Sequence, residues 1–211
     1  MDGGSLIISA MEYSISADAR LALDLALTVR HDGHGGVADD LTDPAGLATW
    51  VRAHTDILAE AAHFTADEAT LTAVRELRAA VRSLFARAVS PGEPSPADAT
   101  RLLPVPEALT RLNEAAALAP TVPVLSWSPA SGPVVHHAPA TAAAPLTAAL
   151  ARAAIAFLAS PERQRLRACH APRCVRYFLK EHPRQEWCKP SCGNRARVAR
   201  HHARHKEIAS S

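Results

Sequence analysis

The sequence predicts a mainly α-helical protein: a helical N-terminal domain with one small β-hairpin over residues 1–160, and a compact C-terminal module over residues 161–211. Three observations support this fold class. Alanine is abundant, while aromatic residues make up only 4% of the 211 residues. Apolar residues recur every three or four positions through most of the first part, which is the period of a helix. All four cysteines lie in the second part.

The first half of the N-terminal domain is predicted to contain three helices. Residues 17–30 carry leucines and a valine and predict the first. Asp43 and Pro44 predict the start of the second, because aspartate caps a helix and proline suits its first position. Thr65 and Glu68 form a capping box at the start of the third. An unbroken apolar stripe predicts that this third helix is central to the core, with its arginines on other faces. The stripe is Leu71, Val74, Leu77, Val81, Leu84, Phe85 and Ala88, and the arginines are Arg75, Arg78 and Arg82.

The second half of the domain is predicted to contain a hairpin between two helices. Residues 106–118 predict a short helix. Residues 121–128 and 133–137 predict two strands joined by a turn rich in proline and glycine. Trp127 and the prolines suit an exposed or half-covered edge strand. Residues 141–159 return to a helical pattern.

The charge of the chain is divided between its two parts. Residues 1–160 carry 10 Lys+Arg against 17 Asp+Glu, and residues 161–211 carry 13 against 4. This asymmetry indicates an acidic body and a basic end that meets a polyanion. The N-terminus lacks the features of a signal peptide, and no window approaches the ~20 apolar residues of a membrane span. We therefore expect a cytoplasmic protein without membrane contact.

The four cysteines are spaced as two close pairs. Cys169 and Cys174 form C-x4-C, thirteen residues follow, and Cys188 and Cys192 form C-x3-C. Two close pairs separated by a short insert suit a single tetrahedral zinc ion that is structural, with no open position. Two disulfides, inert buried thiols and an iron–sulfur cluster are the alternatives. A reducing compartment favours zinc.

The residues around the cysteines predict a treble-clef-like module of knuckle, hairpin and helix. Residues 175–179 and 185–187 favour strands, with a turn at 181–184 between them. A helix then follows from about Cys192 to Lys206, and its first turn supplies a metal ligand. A helix of ~15 residues is ~22 Å long, enough to lie in the major groove of DNA.

The basic helix contains the candidate nucleic-acid contacts. Three arginines at i, i+3 and i+7 share one face. Gly193 is expected to allow close packing of the helix start, and Asn194 to bond the sulfurs or the hairpin backbone. Arg195 is expected to brace the fold through Glu181 or Glu186, or to contact phosphate. The predicted nucleic-acid-binding residues are Arg195, Arg197, Arg200, Arg204 and Lys206.

These residues resemble two known families. Residues 165–206 resemble the CGNR zinc finger in the cysteine spacing, in Phe178-Leu179, in Trp187-Cys188, in Cys192-Gly193-Asn194-Arg195, and in the Arg/His-rich helix. Residues 19–159 are similar to the ABATE domain, on the basis of the Leu21–Leu25 segment, Asp40-Leu41, Asp43-Pro44 and Trp50. Proteins of this kind are described as candidate stress-induced transcription regulators. The resemblance therefore implies DNA binding without naming a signal.

The leading hypothesis is a DNA-binding transcription regulator. A zinc-stabilised module that binds RNA or protein is the alternative, and aromatics exposed on the hairpin would favour RNA. We expect no enzyme, because no nucleophile has a base at a recognisable spacing and the metal site is closed. The N-terminal domain is a candidate for binding a small-molecule effector, and a homodimer is expected because one finger offers little specific surface.

Overall fold

The computed structural model describes residues 15–32, 34, 36–58, 61–98, 100–129, 132–140 and 144–209. About half of the chain is helical. The described residues form six α-helices, which are α1 (Ala17–Leu27), α2 (Pro44–Arg52), α3 (Glu68–Val89), α4 (Val105–Ala117), α5 (Leu146–Ala159) and α6 (Pro190–Ala209). They also form three two-stranded antiparallel sheets. The strands are β1 (Val29–His31), β2 (Val37–Asp39), β3 (Thr121–Ser128), β4 (Gly132–Pro139), β5 (Leu166–Ala168) and β6 (Tyr177–Leu179). The predicted fold class is confirmed.

The core of the N-terminal domain is built around α3, as the apolar stripe predicts. Helix α3 packs against α4 and α5, and α5 also packs against α1. The ring of Phe85 meets that of Phe157 edge to face, with 5.5 Å between the centroids. All stripe residues from Leu71 to Phe85 are buried. Among the described residues, no helix is both long and apolar enough to cross a membrane.

Two helix ends differ from the predictions because local side chains compete. Asp67, not Thr65, caps α3, and its Oδ1 accepts from the amide of Thr70 at 2.8 Å. Helix α1 ends at Leu27 because the hydroxyl of Thr28 donates to the carbonyl of Leu25 at 2.7 Å, and the following β-branched residue favours a strand. The cap of α2 is as predicted, since Asp43 accepts from the amide of Gly46 at 2.7 Å.

The prediction that the arginines of α3 lie away from the core is wrong for two of them. Arg78 is only 7% exposed and Arg82 only 4%. Arg78 makes a bidentate ion pair with Asp39, with both N–O distances 2.6 Å. Arg82 pairs with Asp98 at 2.7 and 3.1 Å and also donates to the carbonyl of Ala26. The core therefore contains two buried arginines, each paired with a carboxylate from outside α3.

The β3–β4 hairpin stands apart from the core. Its eight residue pairs run from Thr121 opposite Pro139 to Ser128 opposite Gly132. Trp127 is 73% exposed, as expected for an uncovered strand, and Leu125 is 62% exposed. Gly132, at the turn, has a φ of +71°, a conformation that glycine adopts without steric cost.

The C-terminal module shares the core of the N-terminal domain. Strand β5 packs on α3, and β6 packs on α1. Leu166, Tyr177 and Leu179 belong to the same apolar cluster as α3. The hydroxyl of Tyr177 donates to Asp98 at 2.7 Å, and the hydroxyl of Ser95 donates to the carbonyl of Val175 at 2.8 Å. The two parts are therefore joined by apolar packing and by a buried polar network.

Candidate metal centre and nucleic-acid interface

Two structural elements position the four cysteines. Cys169 directly follows β5, and its amide donates to the carbonyl of Arg176 at 2.9 Å, which extends the β5–β6 ladder by one bond. The chain between Cys169 and Cys174, which we call the knuckle, reverses direction in a turn. The turn is closed by a hydrogen bond of 2.9 Å from the amide of Cys174 to the carbonyl of Ala171. Cys192 lies in the first turn of α6. The strand pair and the helix thus bring both cysteine pairs to one point.

The sulfur atoms have the geometry of a tetrahedral metal site. All four Sγ atoms lie within 4.8 Å of one another. The Cys174–Cys188 and Cys188–Cys192 distances are 3.7 and 3.5 Å. A zinc ion with Zn–S bonds of ~2.3 Å places its sulfurs ~3.8 Å apart. All four thiols are free, and these distances far exceed the ~2.05 Å of a disulfide. The four cysteines fit one structural zinc ion.

The four cysteines lie close enough to affect one another's ionisation. Hydrogen bonds from Cys174 and Cys188 lower the pKa of Cys169 to about 2. The hydrogen bond with Cys169 raises the pKa of Cys174 to about 11, and bonds with Cys169 and Cys174 raise the pKa of Cys188. Adjacent negative charges repel, so ionisation of one thiol disfavours ionisation of its neighbours. A divalent metal supplies the charge that four thiolates need, so binding releases protons.

A small apolar cluster covers the sulfurs. Ala171 and Phe178 pack with the cysteines, and Trp187 lies partly buried beside them. Gly193 allows this arrangement, since a Cβ there would lie 3.0 Å from Cδ1 of Trp187. The predicted close approach at Gly193 is therefore present, and its partner is the indole that precedes Cys188.

Arg195 and Asn194 have partners that the sequence did not predict. The Nε of Arg195 donates to the carbonyl of Pro172 at 3.1 Å, and one Nη donates to Sγ of Cys192 at 3.2 Å. Arg195 thus braces the metal centre directly, and not through Glu181 or Glu186. Asn194 is exposed and accepts from Arg197, so its expected bond to sulfur or to the hairpin is wrong. The i, i+3 spacing of Cys192 and Arg195 on the predicted helix was the sequence feature that could have indicated their contact.

Family comparisons agree with this architecture. A family model described as ABATE, putative stress-induced transcription regulator, matches residues 19–161. The chain belongs to the ABATE family. A second family model, the CGNR zinc finger, matches residues 165–205, the segment that holds the four cysteines. No curated protein matches the chain significantly. This ABATE protein therefore carries a CGNR zinc finger after its helical domain.

The strand pairing in the finger differs from the prediction. Strand β6 pairs with β5, Leu166 opposite Leu179, and not with residues 185–187. The side chain of Gln185 replaces that ladder: its Oε1 accepts from the amide of Glu181 at 2.7 Å and its Nε2 donates to the carbonyl of Trp187 at 3.2 Å. The strands of the finger therefore flank the knuckle, while the second cysteine pair follows an irregular loop.

The basic face of α6 is exposed beyond its first turn. Arg197, Arg200 and Arg204 all reach solvent. Arg197 donates to Asn194, and the Nε of Arg200 contacts the carbonyl of Ala196 at 3.4 Å. The side chain of Lys206 lies outside the described residues, although its backbone belongs to α6. The helix thus presents three arginines on one face.

His201 and His205, which are four residues apart on α6, contact each other. The Nε2 atoms of His201 and His205 are 3.1 Å apart. Among the described residues, the cysteine cluster is the group of three or more potential ligands that could hold a metal ion. The pair therefore forms part of the polar surface of α6.

Proposed function

We propose that this ABATE-family protein is a DNA-binding transcription regulator whose zinc finger presents α6 to the duplex. One observation carries the proposal: α6 begins at the metal centre and carries exposed Arg197, Arg200 and Arg204 on a single face. Three arginines on one face of a helix suit the phosphate backbone and guanine edges.

The anchoring of α6 supports this role. Cys192 lies in its first turn, and Arg195 ties that turn to the knuckle. Its 20 residues span about 30 Å. The helix is therefore held at one end and extends its basic face into solvent.

The zinc ion has a structural role in this proposal. Four cysteines complete a tetrahedral shell, so no position remains for a substrate or a water molecule. The ion would hold the knuckle and the start of α6 together, and Arg195 and the surrounding apolar side chains would keep water from the sulfurs. We propose on this basis that the protein is not an enzyme, and that it works in the cytoplasm, where thiols stay reduced.

The buried positions of the finger aromatics disfavour the RNA-binding alternative. Tyr177 is fully buried and Phe178 is 7% exposed. Trp187 is partly buried against Gly193. Base stacking requires exposed rings, whereas Tyr177 lies in the core shared with α3, and Phe178 and Trp187 lie in the apolar cluster around the sulfurs.

The test is selection of bound duplexes from a random DNA library by the zinc-loaded full-length protein, with Cys188→Ser as the metal-free control. We expect an enriched sequence that the control loses. Binding of single-stranded RNA without any enriched duplex would overturn the proposal.

Charge variants then locate the interface. R197Q/R200Q/R204Q should lower affinity and reduce the slope of log affinity against log salt by about 3. The matched control R52Q/R101Q/R111Q removes three arginines of the ABATE domain, of which Arg52 and Arg101 are exposed and Arg111 is half-buried and paired with Glu107, and should leave both values unchanged. Equal effects of the two triple variants would show that α6 is not the interface.

The ABATE domain offers a candidate effector site. A groove of about 650 Å³ lies between α3, α4 and α5. Its walls are apolar, with Leu109 and Ile155 among them, and Arg87 and Arg163 are also part of its lining. Small molecules with an apolar body and an acidic group fit this chemistry. Saturable binding of an aromatic or aliphatic carboxylate that Leu109→Asp abolishes would support the site, and unchanged binding in that variant would refute it.

The proposed homodimer has a candidate interface in the β3–β4 hairpin. Val122, Leu125 and Trp127 are about half or more exposed. Uncovered strand edges and apolar side chains favour pairing with a second copy. Sedimentation of Trp127→Ser/Leu125→Ser against the wild type tests this: we expect a dimer that the variant dissociates, and a monomeric wild type would refute it.

A further inference from the structure

A basic pocket lies where the ABATE domain meets the zinc finger. It encloses about 360 Å³. Strand β1 contributes Arg30 and His31 to its lining. The end of the knuckle and the two residues after it contribute residues 173–176. Lys189, just before α6, and Arg195, on α6, complete the lining. Five of the lining residues are arginine or lysine, and no carboxylate is part of the lining. We call this site the interdomain pocket.

Within the described part of the chain, three of these cations make no ion pair with a carboxylate. Arg30 pairs with Asp40, and Arg195 is bonded to Pro172 and Cys192. The side chains of Arg173, Arg176 and Lys189 are exposed and make no hydrogen bond or ion pair with the described part of the chain. Like charges that converge without an acidic partner repel one another and favour an anion.

The charge of the metal centre does not account for this cluster. A zinc ion with four thiolates has a formal charge of roughly −2. Arg195 is the pocket cation that donates to a sulfur. Arg173, Arg176 and Lys189 make no bond to a sulfur in the described part of the chain, so they remain available to an external ligand.

The backbone at Arg173 supports a functional role. Residues 171–174 form a turn closed by the amide of Cys174 and the carbonyl of Ala171, with Pro172 at its second position. Arg173 at the third position has a φ of +62°. Glycine or asparagine suits that position, and another residue is strained there. The strained backbone at Arg173 therefore holds an arginine beside the pocket, and strain of this kind is common at functional sites.

We propose that the interdomain pocket binds a phosphate group. Arginine donates in a planar fork that matches phosphate oxygens, and the excess of positive charge suits a multiply charged anion better than a carboxylate. The phosphate belongs either to the backbone of DNA bound by α6 or to a free phosphorylated small molecule. In either case it bridges β1 of the ABATE domain and the knuckle of the finger.

The test is calorimetric titration of the zinc-loaded full-length protein with inorganic pyrophosphate at constant ionic strength, with zinc content measured before and after. We expect saturable binding that R176Q/K189Q weakens at least about tenfold. The matched control R52Q/R101Q removes the same charge from the ABATE surface and should bind like the wild type. Absence of saturable binding, or equal binding by R176Q/K189Q and the wild type, would overturn the proposal.

Arg173→Gly separates function from folding. It relieves the left-handed strain, so its Tm should equal or exceed that of the wild type while its pyrophosphate affinity falls. Retained affinity in this variant would contradict the role of Arg173 in the pocket.

Measuring the affinity of the same variants for duplex DNA identifies the source of the phosphate. It also keeps this proposal distinct from the function proposed for α6. If R176Q/K189Q loses both pyrophosphate and duplex affinity, the pocket holds a backbone phosphate. If it loses pyrophosphate alone, the pocket holds a small phosphorylated ligand. R197Q/R200Q/R204Q should keep its pyrophosphate affinity whether or not α6 binds DNA, and loss of that affinity would contradict a separate pocket.

Discussion

Replacing Tyr177 with phenylalanine tests the connection between the zinc finger and the ABATE domain. The Tyr177 side chain is fully buried, and its hydroxyl donates to Oδ2 of Asp98 at 2.7 Å. The same hydroxyl accepts from the amide of Ser95 at 3.3 Å. Tyr177→Phe keeps the edge-to-face contact with Phe85, at 5.5 Å, and removes only the hydroxyl.

The expected cost follows from these contacts. A hydrogen bond to a charged group contributes about 1.5–3 kcal/mol, and the long second bond adds less. We therefore expect Tyr177→Phe to lower the free energy of unfolding by about 2–3 kcal/mol. For a chain of this size the Tm should fall by about 4–12 °C. Asp98 keeps its ion pair with Arg82, so the variant should still fold.

Urea unfolding of the zinc-loaded protein, followed by circular dichroism, measures this cost. The same substitution in an Asp98→Asn background should cost clearly less, because the charged acceptor is gone. A loss below about 0.5 kcal/mol, or an equal loss in both backgrounds, would refute the reasoning.

The pH dependence gives a second readout of the same bond. Burial, with the charge and hydrogen bond of Asp98, raises the pKa of Tyr177 in the folded protein. Its contribution is therefore complete below the unfolded value of about 10 and is lost as pH rises above it. The stability difference between the wild type and Tyr177→Phe should narrow above about pH 10.

Three further predictions concern the metal centre and the buried ion pair. Cys188→Ser should lose stoichiometric zinc by elemental analysis and lower the Tm of the whole chain, since the finger shares the core; one retained zinc per chain would contradict this. Arg195→Ala should weaken zinc affinity about 10–100-fold in competition with a chelator, because it removes the donor to Cys192; an unchanged affinity would argue against that role. Burial opposes ionisation of Asp39, but hydrogen bonds from Arg78 and the amide of Leu41 prevail and lower its pKa. The stability from this pair should therefore be present above about pH 4 and decline as pH falls through the lowered value, and Asp39→Asn should flatten that part of the acid profile.

Local chemistry explains what could be predicted from the sequence. The start of α2 was predictable because Asp43 and Pro44 act on their own helix end. The metal ligands were predictable because two close cysteine pairs suit one shared ion and a reducing compartment favours zinc over disulfides. The start of α3 was placed wrongly because Thr65 and Asp67 both suit a cap, and only the packed structure shows which residue is used.

Tertiary contacts explain what could not be predicted. The burial of Arg78 and Arg82 depends on Asp39 and Asp98, which lie 39 and 16 residues away along the chain. Helical periodicity indicates which face of a helix is apolar. It does not reveal a carboxylate, distant along the chain, that pairs with a buried arginine. The interdomain pocket likewise brings Arg30 beside the knuckle, although more than 140 residues separate them.

Tyr177 has a practical consequence for engineering hybrid regulators. The residue enters the core through β6, and β6 leads directly out of the knuckle. Grafting a foreign finger onto this helical body would expose Phe85 and leave Asp98 without its donor unless the graft also carries a matching tyrosine. Replacing the zinc finger therefore also requires redesign of the core surface that it covers.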